Sequence, residues 1–311
     1  MKMPRQAVCV SSSVIWLVMP IDFLYNVGYL SYASPKDRKE RAFEMDRDTM
    51  IVTMLGTRGS VSVSGEAFHE FGGATTCVRV CAADQEIFLD LGSGIVGVKP
   101  EPEKKVSILL THPHLDHLTG LPFFKGLSEK GRRIEVYLKP RNGLGIFHVL
   151  RYLYTPPLWP IGIFDYPADV HVNGMPERFS LGEVAVSAMD GNHPGGSTIF
   201  RLSYRDVSFV FATDYEHTEE ADQRLIAFAQ DCSLLIYDGQ YTSEEYERCR
   251  GFGHSTAEHG ISIAKACGAK RLWITHHAPE HTDEMLRELE QEAQQMWDGI
   301  CFARDGMELA L

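Results

Sequence analysis

The chain has no Cys-x-x-Cys pair. Its seven cysteines, Cys9, Cys77, Cys81, Cys232, Cys249, Cys267 and Cys301, are odd in number and scattered. This pattern fits reduced thiols in a cytoplasm better than a disulfide framework. Cys77 and Cys81 lie four apart on an expected strand, hence on one face, and read as small core residues. There is no low-complexity tract, no internal repeat and no apolar run long enough to span a bilayer, so neither a solenoid nor a membrane span is expected. Basic residues are the scarcer sign: 30 Lys and Arg against 42 Asp and Glu give a formal net charge of −12. Such a chain is a poor bulk attractor for nucleic acid. Hydrophobic residues are plentiful, at 44% of 311, which is enough for a large core in one or two domains.

Residues 1–49 differ in character from the rest. Lys2 and Arg5 precede an apolar run from Ala7 to Met19, and Ser31-Tyr32-Ala33 offers a small-x-small site, the outline of a signal peptide. Pro20, Asp22 and Asn26 break that outline, and a charged run follows from Lys36 to Asp48. The segment therefore reads as an extension of a domain spanning residues 50–311, with secretion as the alternative.

Metal-capable side chains are concentrated in Thr111-His112-Pro113-His114-Leu115-Asp116-His117, where four of them fall within six positions. The loop follows an apolar run, Val106 to Leu110, that reads as a buried strand. Strand carboxyl ends are where α/β sheets place their sites. Neutral imidazole and carboxylate suit zinc and similar ions, and a merely solvated loop has no need of three histidines.

Further strands are expected over Met50–Leu55, Val78–Cys81, Arg133–Leu138, Val184–Met189 and Leu234–Asp238, over Val207–Asp214 and Arg271–His277 ending in their aspartate and histidines, and within Glu86–Gly94, which reads as a strand and then a turn. Several run into chemistry-bearing residues: Asp90, His193, Asp214, Asp238 and the pair His276-His277. Thr119 to Phe124 is expected to open a helix beneath the metal loop. Residues 140–169 are aromatic, proline-rich and the least regular stretch. Around them Lys130, Arg132, Arg133, Lys139 and Arg141 make a basic cluster, either a solvated face or a seat for an anion. Arg58, in the turn Gly56-Thr57-Arg58-Gly59-Ser60, reads as an exposed or structural arginine, with a phosphate contact as the alternative. Gly253-His254-Ser255-Thr256 precedes a helix over Ala257–Cys267, and Ser255 or Thr256 suits its N-cap.

The loop 111–117 resembles the signature of the metallo-β-lactamase superfamily, and the strand-end residues from Met50 onward follow that family's order. The resemblance implies an α/β fold, the αββα sandwich of two mixed sheets with helices outside. It implies two divalent metal ions, zinc first, with manganese or iron(II) as alternatives. The first ion would take His112, His114, His193 and Asp214; the second would take Asp116, His117, His276 and a shared Asp214. By the same resemblance His276 rather than His277 is the ligand, and Asp90 holds the loop by hydrogen bonds. His69, His148, His171, His217, His259 and His281 are left to surface or structural roles.

The run His254-Ser255-Thr256 and the acid Asp238 resemble the proton-donating pair of ribonuclease Z and its phosphodiesterase relatives. The implied catalytic set is His254, Asp238 and Asp116. Gly239 and Ala278 stand where that branch commonly has Ala and Asp, and Ala74 where it often has Asn. Ribonuclease Z proper usually carries a glycine-rich arm for tRNA, which is not found here. The expected reaction is attack by metal-bound hydroxide on a small phosphodiester, linear or cyclic, with His254 protonating the leaving oxygen. Nucleic acid is a less favoured partner than a small molecule, no membrane partner is expected, and oligomeric state is left open, a homodimer included. Rival readings are a lactone or thioester hydrolase, a ribonuclease Z-like nuclease, a diiron redox protein and a catalytically silent regulator.

Overall fold

A computed structural model describes residues 49–311, and the expectations placed on residues 1–48 lie outside the described residues. Six strands build the first half: β1 (Ile51–Gly56), β2 (Cys77–Ala82), β3 (Gln85–Leu89), β4 (Lys105–Leu110), β5 (Arg133–Leu138) and β6 (Asp169–Gly174). Seven build the second: β7 (Arg178–Leu181), β8 (Val184–Gly191), β9 (Ser197–Tyr204), β10 (Val207–Ala212), β11 (Leu234–Asp238), β12 (Leu272–Thr275) and β13 (Ile300–Phe302). β14 (Glu308–Ala310) returns to the first sheet. The orders are β14-β1-β2-β3-β4-β5-β6 and β13-β12-β11-β10-β9-β8-β7. Each sheet is antiparallel in one half and parallel in the other.

Alternation along the strands explains how the layers pack. On β10, Phe209 and Phe211 enter the core between the sheets, while Val210 and Ala212 face the helices outside. β11 divides likewise, with Leu234 and Ile236 inward and Leu235 and Tyr237 outward. Both faces are covered, so these strands read as unbroken apolar runs. Burying each such large side chain contributes roughly 1.5–3 kcal/mol before the cost of ordering it. The outer layer of the second sheet holds α2 (Glu219–Phe228), α4 (Ala257–Cys267) and α5 (Asp283–Met296); α1 (Ile146–Leu153) packs on the first sheet, and α3 (Ser243–Cys249) leads toward the site. This is the expected αββα sandwich.

Two local expectations need correction. Residues 119–124 do not open an α-helix; the chain makes 3₁₀ turns over Leu121–Phe123 and Lys125–Ser128. Pro122 has no N–H to continue a helix, and Phe124 swings into an extended conformation at the junction. Conversely, the stretch 140–169 contains α1, whose Ile146, Val149 and Leu150 are buried at helical spacing on the first sheet. Among the described residues no helix is long and apolar enough to cross a membrane.

Candidate metal centre

The centre gathers residues from the carboxyl ends of strands in both sheets. From the first comes the loop after β4, with residues 115–117 in a 3₁₀ turn. From the second come His193 after β8, Asp214 after β10, Asp238 at the end of β11 and His276 after β12. Asp90, Asp214 and His276 all turn there through left-handed backbone, with φ of 60°, 53° and 64°. Non-glycine residues occupy that region at a cost, and such outliers cluster at functional sites.

All seven residues expected as ligands are brought together. His112, His114, His193 and Asp214 form one group, and Asp116, His117 and His276 another, with the ligand atoms of each within 4.8 Å of one another. Asp214 serves both sides. Its Oδ1 lies 3.6 Å from His112 Nε2 and 3.9 Å from His193 Nε2. Its Oδ2 lies 3.2 Å from His117 Nε2 and 3.4 Å from His276 Nε2. Asp116 Oδ2 faces the same two histidines at 3.2 and 3.4 Å.

The imidazoles are set to offer lone pairs inward. His112 Nδ1 meets Thr111 Oγ1 at 3.0 Å, and that hydroxyl donates to Asp90. His117 Nδ1 meets Asp90 Oδ2 at 2.8 Å, His193 Nδ1 the Gly253 carbonyl at 3.0 Å, and His276 Nδ1 Gln240 Oε1 at 2.8 Å. With Nδ1–H donated outward, Nε2 is left as an acceptor. The Nε2 atoms of His112, His117 and His276 are buried without any hydrogen-bond partner. Buried orphan nitrogens are costly unless something fills the centre, and divalent cations fit this imidazole and carboxylate set.

Electrostatics without a cation point the same way. Burial pulls the imidazoles of His112, His114 and His193 below the usual range. Burial also opposes charge on His117 and His276, but neighbouring carboxylates outweigh it: Asp116, Asp214 and Asp90 raise His117, and Asp214, with Asp116 and Asp238, pushes His276 up to about 9. Burial likewise resists ionisation of Asp116 and Asp214, but the imidazoles of His117 and His276 overcome it and hold both carboxyls low. The centre thus holds protons where cations would displace them.

His254 stands beside both groups. Its Nδ1 meets Asp238 Oδ2 at 2.9 Å, and its ring stacks on His276 with centroids 4.8 Å apart. Asp238 is fully buried and also accepts the N–H groups of Asp214, Gln240 and Ser255 at 2.9, 3.1 and 3.3 Å. Thr256 caps α4 by accepting the His259 N–H, while Ser255 Oγ meets the Tyr237 hydroxyl at 2.9 Å. Asp214, His254 and His276 form a third metal-capable group.

Other expectations resolve as follows. Arg58 is fully buried and donates to the carbonyls of Gly72, Ala278 and His281, a structural role. His277 points away from the centre, with Nε2 2.9 Å from the Ala303 carbonyl, and burial holds it down to about 3. His217 and His259 stack on each other at 3.8 Å, and His281 meets Glu245. His69 and His148 are exposed, and His171 pairs with Asp169. Much of the basic cluster is engaged internally: Arg132 on three carbonyls, Arg133 on Glu135, and Lys139 and Arg141 on Asp190.

Sequence reasoning missed four supports. Ser60 N donates to Asp116 Oδ2 at 2.9 Å. Gln240 orients His276, Thr111 orients His112, and Glu216 holds the segment before His254. Apart from Thr111, which adjoins His112, their partners are remote in the chain. A cavity of about 390 Å³ opens over the centre, lined by Ser60, Pro113, His114, Leu115, Asp116, Asp214, His254 and His276. A larger groove of about 650 Å³ lies at the amino ends of β3, β4 and β5 and holds none of the clustered ligands.

Residues 95–277, more than half the chain, match the family described as the beta-lactamase superfamily domain. A ribonuclease Z of Brevibacillus brevis is 33% identical, with 82% of this chain and 95% of that protein covered. The metallo-beta-lactamase fold protein YhfI from Bacillus subtilis superposes with a TM-score of 0.66 at 19% identity, covering 85% of this chain and all of that one. A diphosphatase from the PhnP family gives 0.60 at 20% identity, covering 85% and 97%.

Proposed function

Because the chain belongs to the metallo-β-lactamase superfamily, in its ribonuclease Z-like branch, and is a metal-dependent hydrolase, we propose that it cleaves a small phosphodiester, linear or cyclic. The observation that carries this reading is the His254–Asp238 pair at 2.9 Å beside the two ligand groups. An alkoxide leaves phosphorus poorly unless it is protonated, whereas a β-lactam or thioester depends less on such an acid.

Two divalent ions, held by His112, His114, His193 and Asp214 and by Asp116, His117, His276 and Asp214, would supply Lewis acidity and a water reactive near neutral pH. Zinc suits this donor set, and manganese or iron(II) are compatible with it. His254 lines the cavity through its ring while Nδ1 is engaged by Asp238, so Nε2 is the atom that delivers the proton. Asp238 keeps the ring oriented. Asp116, held by Ser60 N, also lines the cavity and completes the catalytic set.

The cavity volume of about 390 Å³ suits a small ligand. That supports a small phosphodiester over a polyanion. A second reading, cleavage of an RNA phosphodiester, is favoured by the likeness to the ribonuclease Z of Brevibacillus brevis. The test is a screen of bis-p-nitrophenyl phosphate, cyclic nucleotides, a tRNA precursor, a lactone and a thioester, with protein loaded separately with zinc and manganese. Turnover of the small diesters is expected. Hydrolysis of lactones or thioesters with no phosphodiester turnover would sink the proposal, and turnover of the tRNA precursor alone would select the second reading.

A further inference from the structure

Glu216 lies two residues beyond Asp214 and does not line the cavity over the centre. Its carboxylate nevertheless has three donors. Oε1 accepts the Gly251 N–H at 2.6 Å and the Tyr246 hydroxyl at 3.2 Å, and Oε2 accepts the Gly253 N–H at 2.9 Å. The segment so clamped joins α3 to His254. It could not hold itself in this path: Gly251 and Gly253 have φ of 89° and 98°, and a Cβ at Gly253 would sit 2.0 Å from His193 Nδ1.

Two functional side chains depend on that segment. The Gly253 carbonyl receives the His193 Nδ1–H at 3.0 Å, and the next residue is His254. The main chain of Glu216 is tied to the other side of His193 as well. Glu216 N donates to the Asn192 carbonyl at 2.8 Å, and Asn192 Nδ2 donates back to the Glu216 carbonyl at 2.8 Å. One residue therefore anchors both the strand-end loop that carries His193 and the carbonyl that fixes its tautomer.

We propose that Glu216 is a positioning residue for this centre. It aims the Gly253 carbonyl at His193, so that Nε2 of that imidazole is presented to the first cation, and the same clamp delivers His254 to Asp238. The carboxylate charge also polarises the Gly253 peptide, which makes its carbonyl a better acceptor and the imidazole a better donor to a cation. This rests on the reading above that His193 belongs to the first metal group, but not on the identity of the substrate.

The experiment is a calorimetric titration of metal-stripped protein with zinc, comparing wild type, Glu216→Ala and Glu216→Gln. His193→Ala and His276→Ala serve as references for a damaged first and second site. Glu216→Ala should weaken the first site about 10- to 100-fold and leave the second within a few-fold. Glu216→Gln should fall between, because one of the two oxygens that accept from Gly251 and Gly253 becomes an NH2 group, which donates and cannot accept; it also preserves the test if the alanine variant fails to fold. Selective weakening of the site lost in His193→Ala supports the proposal. Equal weakening of both sites, or none in either variant, overturns it. If wild type binds two zinc ions but cleaves no phosphodiester, the functional reading fails while this one stands.

Discussion

Asp238 accepts the backbone N–H of Asp214 at 2.9 Å through the same carboxylate oxygen that holds His254 Nδ1. The proposed acid and the residue shared by both metal groups are thus joined by one atom, and substitutions on the two sides should not behave independently.

His254→Ala is expected to keep its metal content and to slow hydrolysis of an alkyl phosphodiester by roughly 10²- to 10⁴-fold. The loss should shrink for a p-nitrophenolate leaving group, which departs with little help. Asp238→Asn should show the same dependence on leaving group and, through Asp214, some loss of metal. Equal losses for good and poor leaving groups would remove the acid role. A missing cation in His254→Ala would instead make His254 a ligand, in line with its grouping with Asp214 and His276.

Elemental analysis of loaded and desalted protein should give two ions per chain, and Asp214→Ala should lose both or most of them. His276→Ala should lose one. His277→Ala should retain both but lose roughly 1–3 kcal/mol of stability, because it removes the buried bond to the Ala303 carbonyl. One ion or none in the wild type would contradict the dinuclear assignment, as would metal loss in His277→Ala alone.

Asp305 gives a pH signature away from the centre. The residue is half-buried, but its carboxylate is ringed by the N–H groups of Gly73 and Ala74 and the Thr57 hydroxyl. Burial pushes it up to about 6 despite those bonds and the nearby Arg58. With a folded-state pKa above the unfolded value of about 3.9, its stabilising contribution is whole below about pH 4 and is lost as the pH rises through 6. In urea melts of metal-stripped protein, the stability of wild type minus that of Asp305→Asn should fall by about 2 kcal/mol from pH 4 to 7, after discounting for partial exposure. A flat or rising difference would refute this.

A chain starting at Met50 is expected to fold and to bind metal. The first strand is complete from Ile51, and β1 pairs with β14 at the far end of the chain. Just beyond that pairing, Met50 N donates to the Leu311 carbonyl at 3.3 Å and Leu311 N donates to the Met50 carbonyl at 2.8 Å. An insoluble or metal-free truncation, beside a well-behaved full chain, would show that residues 1–49 complete the domain.

Several elements were legible because local and tertiary demands agree. β5, β11 and α4 have the bounds expected from sequence. For β11, a short apolar run ends in an acid; for α4, a threonine cap precedes the helix and a left-handed glycine closes it. The residues of the metal loop could be picked out because their types are dense there. What was not legible is how they are supported. The bond from Ser60 to Asp116 spans 56 positions and that from Gln240 to His276 spans 36. No local pattern reports such pairs. α1 went unread because flanking prolines and aromatics masked three helically spaced apolar residues.

The ligand groups draw on both sheets, with Asp214 facing histidines that come from each. Free energy of cation binding is therefore also free energy for docking the two halves of the sandwich. By linkage, cation at a hundred times its dissociation constant adds about 2.7 kcal/mol to the folded state. The metal supply of the cell would then act on how much folded protein accumulates, as well as on how much of it is active.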